Sequence, residues 1–132
     1  MIRVLVADDH PFVRAALVDV LSASEDIDVV AECEDGDQVV DEARRTSPDV
    51  VLLDMRMPRM PGLDAARALL SVEPDARIVV LTGSPSAATV SEARALGAAG
   101  YLLKDLPAEE LAAHLRVVAA GGTAWDPVAA AG

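Results

Sequence analysis

The sequence predicts an α/β fold, a doubly wound five-stranded parallel sheet with helices on both faces. Three observations point there: short aliphatic runs without polar alternation, longer segments of helical period between them, and short connections joining the two. A strand covered on both sides has no solvent face, so it reads as a continuous apolar run. The 132 residues suffice for one domain with its own core. Hydrophobic residues make up 52% and aromatic ones only 2%, so that core is aliphatic.

Ile2 to Ala7 is the first strand, and Pro11 follows it. Phe12, Ala15, Ala16, Val20 and Leu21 then recur at helical spacing. Val29 to Glu32 is the second strand, followed by helical Val39, Val40 and Ala43. Val50 to Leu53 is the third, followed by Leu63, Ala66, Leu69 and Leu70. Ile78 to Leu81 is the fourth, followed by Val90, Ala93 and Leu96, with Gly97 just past the helix end. Gly100 to Leu103 is the fifth. Pro107 sits in the first turn of the last helix, and Glu109 and Glu110 place negative charge where the helix dipole favours it. On that helix Ala108, Leu111, Leu115 and Val118 form one stripe, expected to face the sheet. Ala113, Val117 and Ala120 lie nearly opposite. An apolar β-branched residue on an exposed face has neither helix propensity nor burial to recommend it, so Val117 is expected at a homodimer contact. The alternative is packing against the tail from Thr123 to Val128. Gly121-Gly122 breaks the pattern, so one domain is expected over 1–122 and the start of a linker over 123–132.

The charge narrows the function. Eleven Lys and Arg against 22 Asp and Glu leave a formal net charge of -11. So acidic a domain is repelled by nucleic acid, whose binding rests largely on neutralised phosphates. A basic protein partner or a bound cation suits the balance better. No apolar run reaches the roughly 18 residues of a membrane span. The N-terminus reads as a buried strand and not as a signal peptide, so a cytoplasmic protein without membrane association is expected. Cys33 is the only cysteine, which excludes an internal disulfide or a cysteine metal cluster and leaves a buried structural thiol.

In open parallel sheets, function gathers beyond the carboxyl ends of the strands. There the sequence places Asp8 and Asp9 after strand one, Asp54 after strand three, Thr82 after strand four and Lys104 after strand five. Taken singly each has a plainer reading: a turn and helix cap, a strand end, a common strand residue, a solvated charge. Taken together, three carboxylates, a hydroxyl and an ammonium converge on one edge. Crowded carboxylates repel, and a divalent cation relieves the repulsion. An all-oxygen site with few protein ligands suits Mg2+ (or Mn2+). A cation and Lys104 would neutralise a phosphoryl group held against Asp54, and aspartyl phosphates are an established intermediate class.

The stretch from Met1 to about Gly122 resembles a bacterial response-regulator receiver domain. The matching motifs are Val-Ala-Asp-Asp-His at 6–10, Leu-Leu-Asp-Met-Arg-Met-Pro at 52–58, Pro-Gly-Leu-Asp at 61–64, Thr82-Gly83 and Gly-Tyr-Leu-Leu-Lys-Asp at 100–105. Leu-Arg-Val-Val-Ala-Ala-Gly-Gly at 115–122 is similar to the NarL/FixJ (LuxR-type) subfamily of transcription regulators. The resemblance implies a flavodoxin-like strand order 2-1-3-4-5 and Asp54 as phosphoacceptor, supplied by a phosphohistidine on a sensor histidine kinase. It implies Asp9, Asp54 and the Arg56 carbonyl as direct Mg2+ ligands, with Asp8 acting through water. Lys104, the Thr82 hydroxyl and the backbone N–H groups of Arg56 and Gly83 would contact the phosphoryl oxygens. Gly83 would also leave room for the phosphodonor, and Tyr101 would change rotamer as Thr82 moves. Such a chain catalyses only its own phosphorylation and dephosphorylation, and DNA is reached through a C-terminal helix-turn-helix domain missing from this sequence. Many receivers have Pro after the active-site Lys; here Asp105 follows, and a trans bond is expected.

A flavodoxin-like electron carrier needs a Ser/Thr/Gly-rich loop after strand one, where Asp8-Asp9 would repel a flavin phosphate. A phosphatase with an Asp nucleophile needs a second carboxylate two residues on, and that residue is Arg56. A stand-alone or phosphorylation-independent receiver acting through protein contacts is the remaining alternative.

Overall fold

A computed structural model of the chain describes residues 1–125. Strands β1 (Ile2–Ala7), β2 (Ile27–Cys33), β3 (Val50–Asp54), β4 (Ile78–Thr82), β5 (Gly100–Leu103) and β6 (Ala124–Trp125) alternate with helices α1 (Pro11–Ser22), α2 (Val39–Thr46), α3 (Gly62–Val72), α4 (Ala87–Leu96) and α5 (Ala108–Ala119). The sheet is parallel, in the order β2-β1-β3-β4-β5-β6.

The aliphatic runs explain the layers. Along the central strands successive side chains point to opposite faces, and both faces are covered. Leu5, Val51, Leu53, Ile78, Val80 and Tyr101 point to the side of α2, α3 and α4, where Val39, Ala66, Leu69 and Ala93 meet them. Val4, Val6, Val50, Leu52, Val79 and Leu102 point to the side of α1 and α5, against Leu21, Leu111, Leu115 and Val118. Each fully buried Val or Leu contributes about 1.5–3 kcal/mol of transfer free energy. The core therefore runs through the whole width of the sheet.

Two sequence expectations are corrected. The sheet has a sixth strand: Gly100 pairs with Ala124 and Tyr101 with Trp125, where a linker was expected from residue 123. A two-residue strand is too short for a periodic signal. It fits because Gly100 has no side chain, since a Cβ there would lie 2.6 Å from the Ala124 carbonyl oxygen. Residues 126–132, the rest of the expected linker, lie outside the described residues. Ala108 is not buried against the sheet but lines an open groove with Leu81, Leu103 and Leu111. It is exposed at the first turn of α5, and Ala112 takes its place in the buried stripe with Leu111, Leu115 and Val118. Phe12 is 87% exposed, because α1 begins at the sheet edge and buries fully only Leu21.

Ala113, Val117 and Ala120 lie on the outer side of α5, Val117 being 48% exposed. The chain turns back after α5, with the Gly122 N–H donating to the Val117 carbonyl at 2.9 Å. Val117 therefore neighbours Gly122, while contacts with the tail beyond Trp125 fall outside the described residues.

Candidate functional site

The parallel topology brings the carboxyl ends of β1, β3, β4 and β5 to one edge. There Asp9, His10, Asp54, Met55, Arg56, Thr82, Gly83, Ser84 and Lys104 line a cleft of about 320 Å3. Backbone bonds continue the sheet into the site. The Asp8 N–H donates to the Cys33 carbonyl (3.0 Å), Met55 N–H to Leu81 (3.0 Å) and Lys104 N–H to Thr82 (2.8 Å). The functional side chains thus stand on the last rigid positions of the strands. Asp54 and Thr82 are the final residues of β3 and β4, one step further into the strands than their sequence signal indicated.

Asp8 is buried, and its Oδ1 accepts the His10 N–H at 2.9 Å, which turns the chain toward α1. Arg14 reinforces that turn by donating to the Asp8 carbonyl at 2.8 Å. Asp8 Oδ2 lies 3.3 Å from Lys104 Nζ yet accepts no well-aligned hydrogen bond. Asp54 is 5% exposed, with its Oδ2 3.0 Å from Lys104 Nζ and its Oδ1 facing the Arg56 N–H at 3.4 Å. Asp9 is partly exposed at the mouth of the cleft.

Electrostatics follows from this packing. Burial pushes the Asp54 carboxyl above its ordinary range. The Lys104 ammonium and the Arg56 N–H oppose that push, while Asp8 adds to it. Burial pulls Lys104 down, but its bonds and charge pairing with Asp54 and Asp8 outweigh this and hold it above its ordinary value. One ammonium thus serves two buried carboxylates. Carboxylate oxygens of Asp8, Asp9 and Asp54 lie within 4.8 Å of one another. Three oxygen donors of that kind, one with an unsatisfied buried atom, fit a hard divalent cation.

Of the other predicted residues, Thr82 and Gly83 line the cleft and Tyr101 does not. Thr82 is buried, its hydroxyl oxygen accepting the Ser84 N–H at 3.0 Å. Gly83 is exposed, and a Cβ there would touch nothing within 4 Å, so the fold itself does not require glycine. Tyr101 is fully buried, its hydroxyl 2.6 Å from that of Thr89 on α4. No peptide bond among the described residues is cis, so Lys104–Asp105 is trans as expected. Cys33 is buried, as expected of a structural thiol. Sequence reasoning gave His10, Met55 and Ser84 no role, although all three line the cleft. Their only signal was position, immediately after a residue already singled out.

A family model described as the response regulator receiver domain matches residues 4–116. The chain is 42% identical over 130 residues to the uncharacterized transcriptional regulatory protein YxjL of Bacillus subtilis (strain 168), covering 98% of this chain and 60% of that protein. It is 39% identical over 131 residues to the DNA-binding transcriptional activator DevR/DosR of Mycobacterium tuberculosis, covering 99% and 60%. The chain thus spans about 60% of the length of each of these relatives. A crystal structure of a LuxR-family two-component response regulator from Aurantimonas sp. SI85-9A1 superposes with a TM-score of 0.92 at 31% identity, covering 98% of this chain and 92% of that one.

Proposed function

We propose that this chain, which belongs to the response regulator receiver domain family, is a switch operated by phosphorylation of Asp54. The observation that supports this best is the ammonium of Lys104 lying 3.0 Å from Asp54 and 3.3 Å from Asp8 at the open carboxyl edge of the sheet. A carboxylate oxygen of Asp54 attacks the phosphorus of a phosphohistidine on a sensor kinase. The phosphorus–nitrogen bond breaks and the imidazole leaves with the electron pair. Lys104 takes up phosphoryl charge, and the Thr82 hydroxyl and the N–H groups of Arg56 and Gly83 donate to the phosphoryl oxygens. Asp9, Asp54 and the Arg56 carbonyl would hold Mg2+ (or Mn2+), with Asp8 acting through water. Bound there, the ion neutralises phosphoryl oxygens and offsets the crowded carboxylates. Attack of water on the same phosphorus returns free Asp54.

Gly83, which packing does not require, leaves the donor a path into the cleft. Thr82 leaving its Ser84 partner for the phosphoryl group would be felt by Tyr101, whose hydroxyl is bonded to α4. We place this switch in the cytoplasm with its kinase, and assign DNA binding to a helix-turn-helix domain outside this chain. The outward stripe of Ala113, Val117 and Ala120 supports a homodimer contact on α5. Incubation with acetyl phosphate and Mg2+ should add one phosphoryl group to the protein, and EDTA should prevent it. A chain that gains none under either condition would instead act without phosphorylation.

A further inference from the structure

Asp35 lies between β2 and α2, outside the cleft, yet it is one of the few buried charged residues of the fold. Its Oδ1 accepts the N–H groups of Gly36 (2.7 Å) and Met60 (2.8 Å), and its Oδ2 accepts that of Arg59 (3.0 Å). The Arg59 guanidinium stands 3.8 Å away and also reaches Asp37 at 3.3 Å. Burial alone would raise this carboxyl, but the N–H groups of Arg59, Met60 and Gly36 outweigh it and keep it below the ordinary range. Asp35 is therefore a stable anion whose hydrogen-bonding capacity is mostly spent on the loop 55–61, which joins β3 to α3.

That loop carries Arg56. Its near end is fixed by the Met55 N–H on the Leu81 carbonyl, and its far end by the Gly62 N–H on the Met55 carbonyl at 3.0 Å. Gly36 and Gly62 permit the close packing, since a Cβ at Gly36 would overlap the Met60 carbonyl oxygen and one at Gly62 the Asp54 carbonyl oxygen. The Met57 side chain is buried in the core. Among the described residues the Arg56 N–H has only a long contact, 3.4 Å, with Asp54. A peptide so weakly held takes its position from its neighbours in the chain.

We infer that Asp35 is a positioning residue for the cation and phosphoryl site: by binding the N–H groups of Arg59 and Met60 it holds the loop so that the Arg56 peptide faces the cleft. This rests on the assignment of the Arg56 carbonyl and N–H made above. Removal of the carboxylate leaves the N–H groups of Gly36, Arg59 and Met60 without this acceptor and lets the loop drift, while Asp54 stays on β3 and Asp8 and Lys104 stay at the ends of β1 and β5. The effect belongs to the cation rather than to the overall fold.

The test is calorimetric Mg2+ titration of the parent, Asp35→Ala and Asp35→Asn, at a temperature where circular dichroism shows all three folded. Amide hydrogen exchange of Arg56, Arg59 and Met60 is measured alongside without metal. Asp35→Ala should weaken Mg2+ by about tenfold, as loss of an outer support of a metal site does, and should speed exchange at Arg56. Asp35→Asn, whose amide oxygen still accepts two of the three N–H groups, should lose less affinity but measurably so; it decides the matter if the alanine variant does not fold. Parent affinity in Asp35→Asn with unchanged exchange at Arg56 would mean that Met57 and Gly62 hold the loop unaided, and the inference fails. A parent that binds no Mg2+ would overturn the site assignment itself, and this inference with it.

Discussion

Asp54 is a carboxylate placed where burial disfavours its charge, and the Lys104 ammonium and the Arg56 N–H offset that only in part. Its folded value lies above the unfolded one. The metal-free protein therefore loses stability as pH rises from the ordinary carboxylate range through that raised value, and carries the deficit at neutral pH. Asp54→Asn removes this titration. At pH 7 in EDTA the variant should melt higher than the parent, on the order of a few degrees. The difference should shrink in acid, and a lower melt at pH 7 would mean that pairing with Lys104 outweighs burial. Cys33 gives a simpler case: burial pushes its thiol up to about 12. It should not react with a thiol reagent in native protein at pH 8 and should react fully in guanidinium, which absorbance at the reagent's product band reads. The carboxylates, Thr82 and Lys104 were legible in the sequence because a charge or hydroxyl closing an apolar run stands out. Asp35 was not, because an acidic residue in a loop between Glu34 and Gly36 looks solvated. Its burial depends on Arg59 and Met60, which are distant in sequence.

Among the elements, β6 carries the clearest consequence of a missing side chain. Gly100→Ala puts a Cβ against the Ala124 carbonyl and should push β6 off β5, destabilising the domain by about 1–3 kcal/mol. Trp125, the sole tryptophan, lies under the Arg94 guanidinium at 4.4 Å. Its emission should therefore move to longer wavelength in the variant. An unmoved spectrum with parent stability would mean that the strand accommodates the methyl group. The five long strand–helix units were readable because each carries a run or a period. The sixth strand was not, since two residues carry neither, and a Gly-Gly pair just before it signals a break. On α5 the outward stripe followed from helical spacing, whereas Ala108, beside Leu111, is exposed and not buried, because the first turn lies at the open end of the groove. Val117→Glu tests the stripe. At 48% exposure it should change stability by no more than about 0.5 kcal/mol. Sedimentation should show loss of dimer, and association equal to the parent's would remove the stripe from consideration.

At the scale of the molecule, a parallel sheet covered on both faces leaves its carboxyl edge as the place where polar groups from separate strands meet. The aliphatic core fixes the strands, the strands fix Asp8, Asp54, Thr82 and Lys104, and the loops decide how Asp9 and Arg56 join them. We take residues 1–125 as one structural unit, because β6 completes the sheet beyond the limit that the glycine pair suggested. The net charge of -11 suits a domain that meets a cation and a basic partner surface rather than nucleic acid. Everything proposed for the switch depends on which atom receives the phosphoryl group. The most direct measurement is intact-mass analysis after acetyl phosphate and Mg2+, on the parent and on Asp54→Asn, with peptide mapping of the labelled protein. One phosphoryl group is expected on the parent, located at Asp54, and none on the variant. A label that persists in Asp54→Asn, or maps to another residue, would contradict the assignment of Asp54.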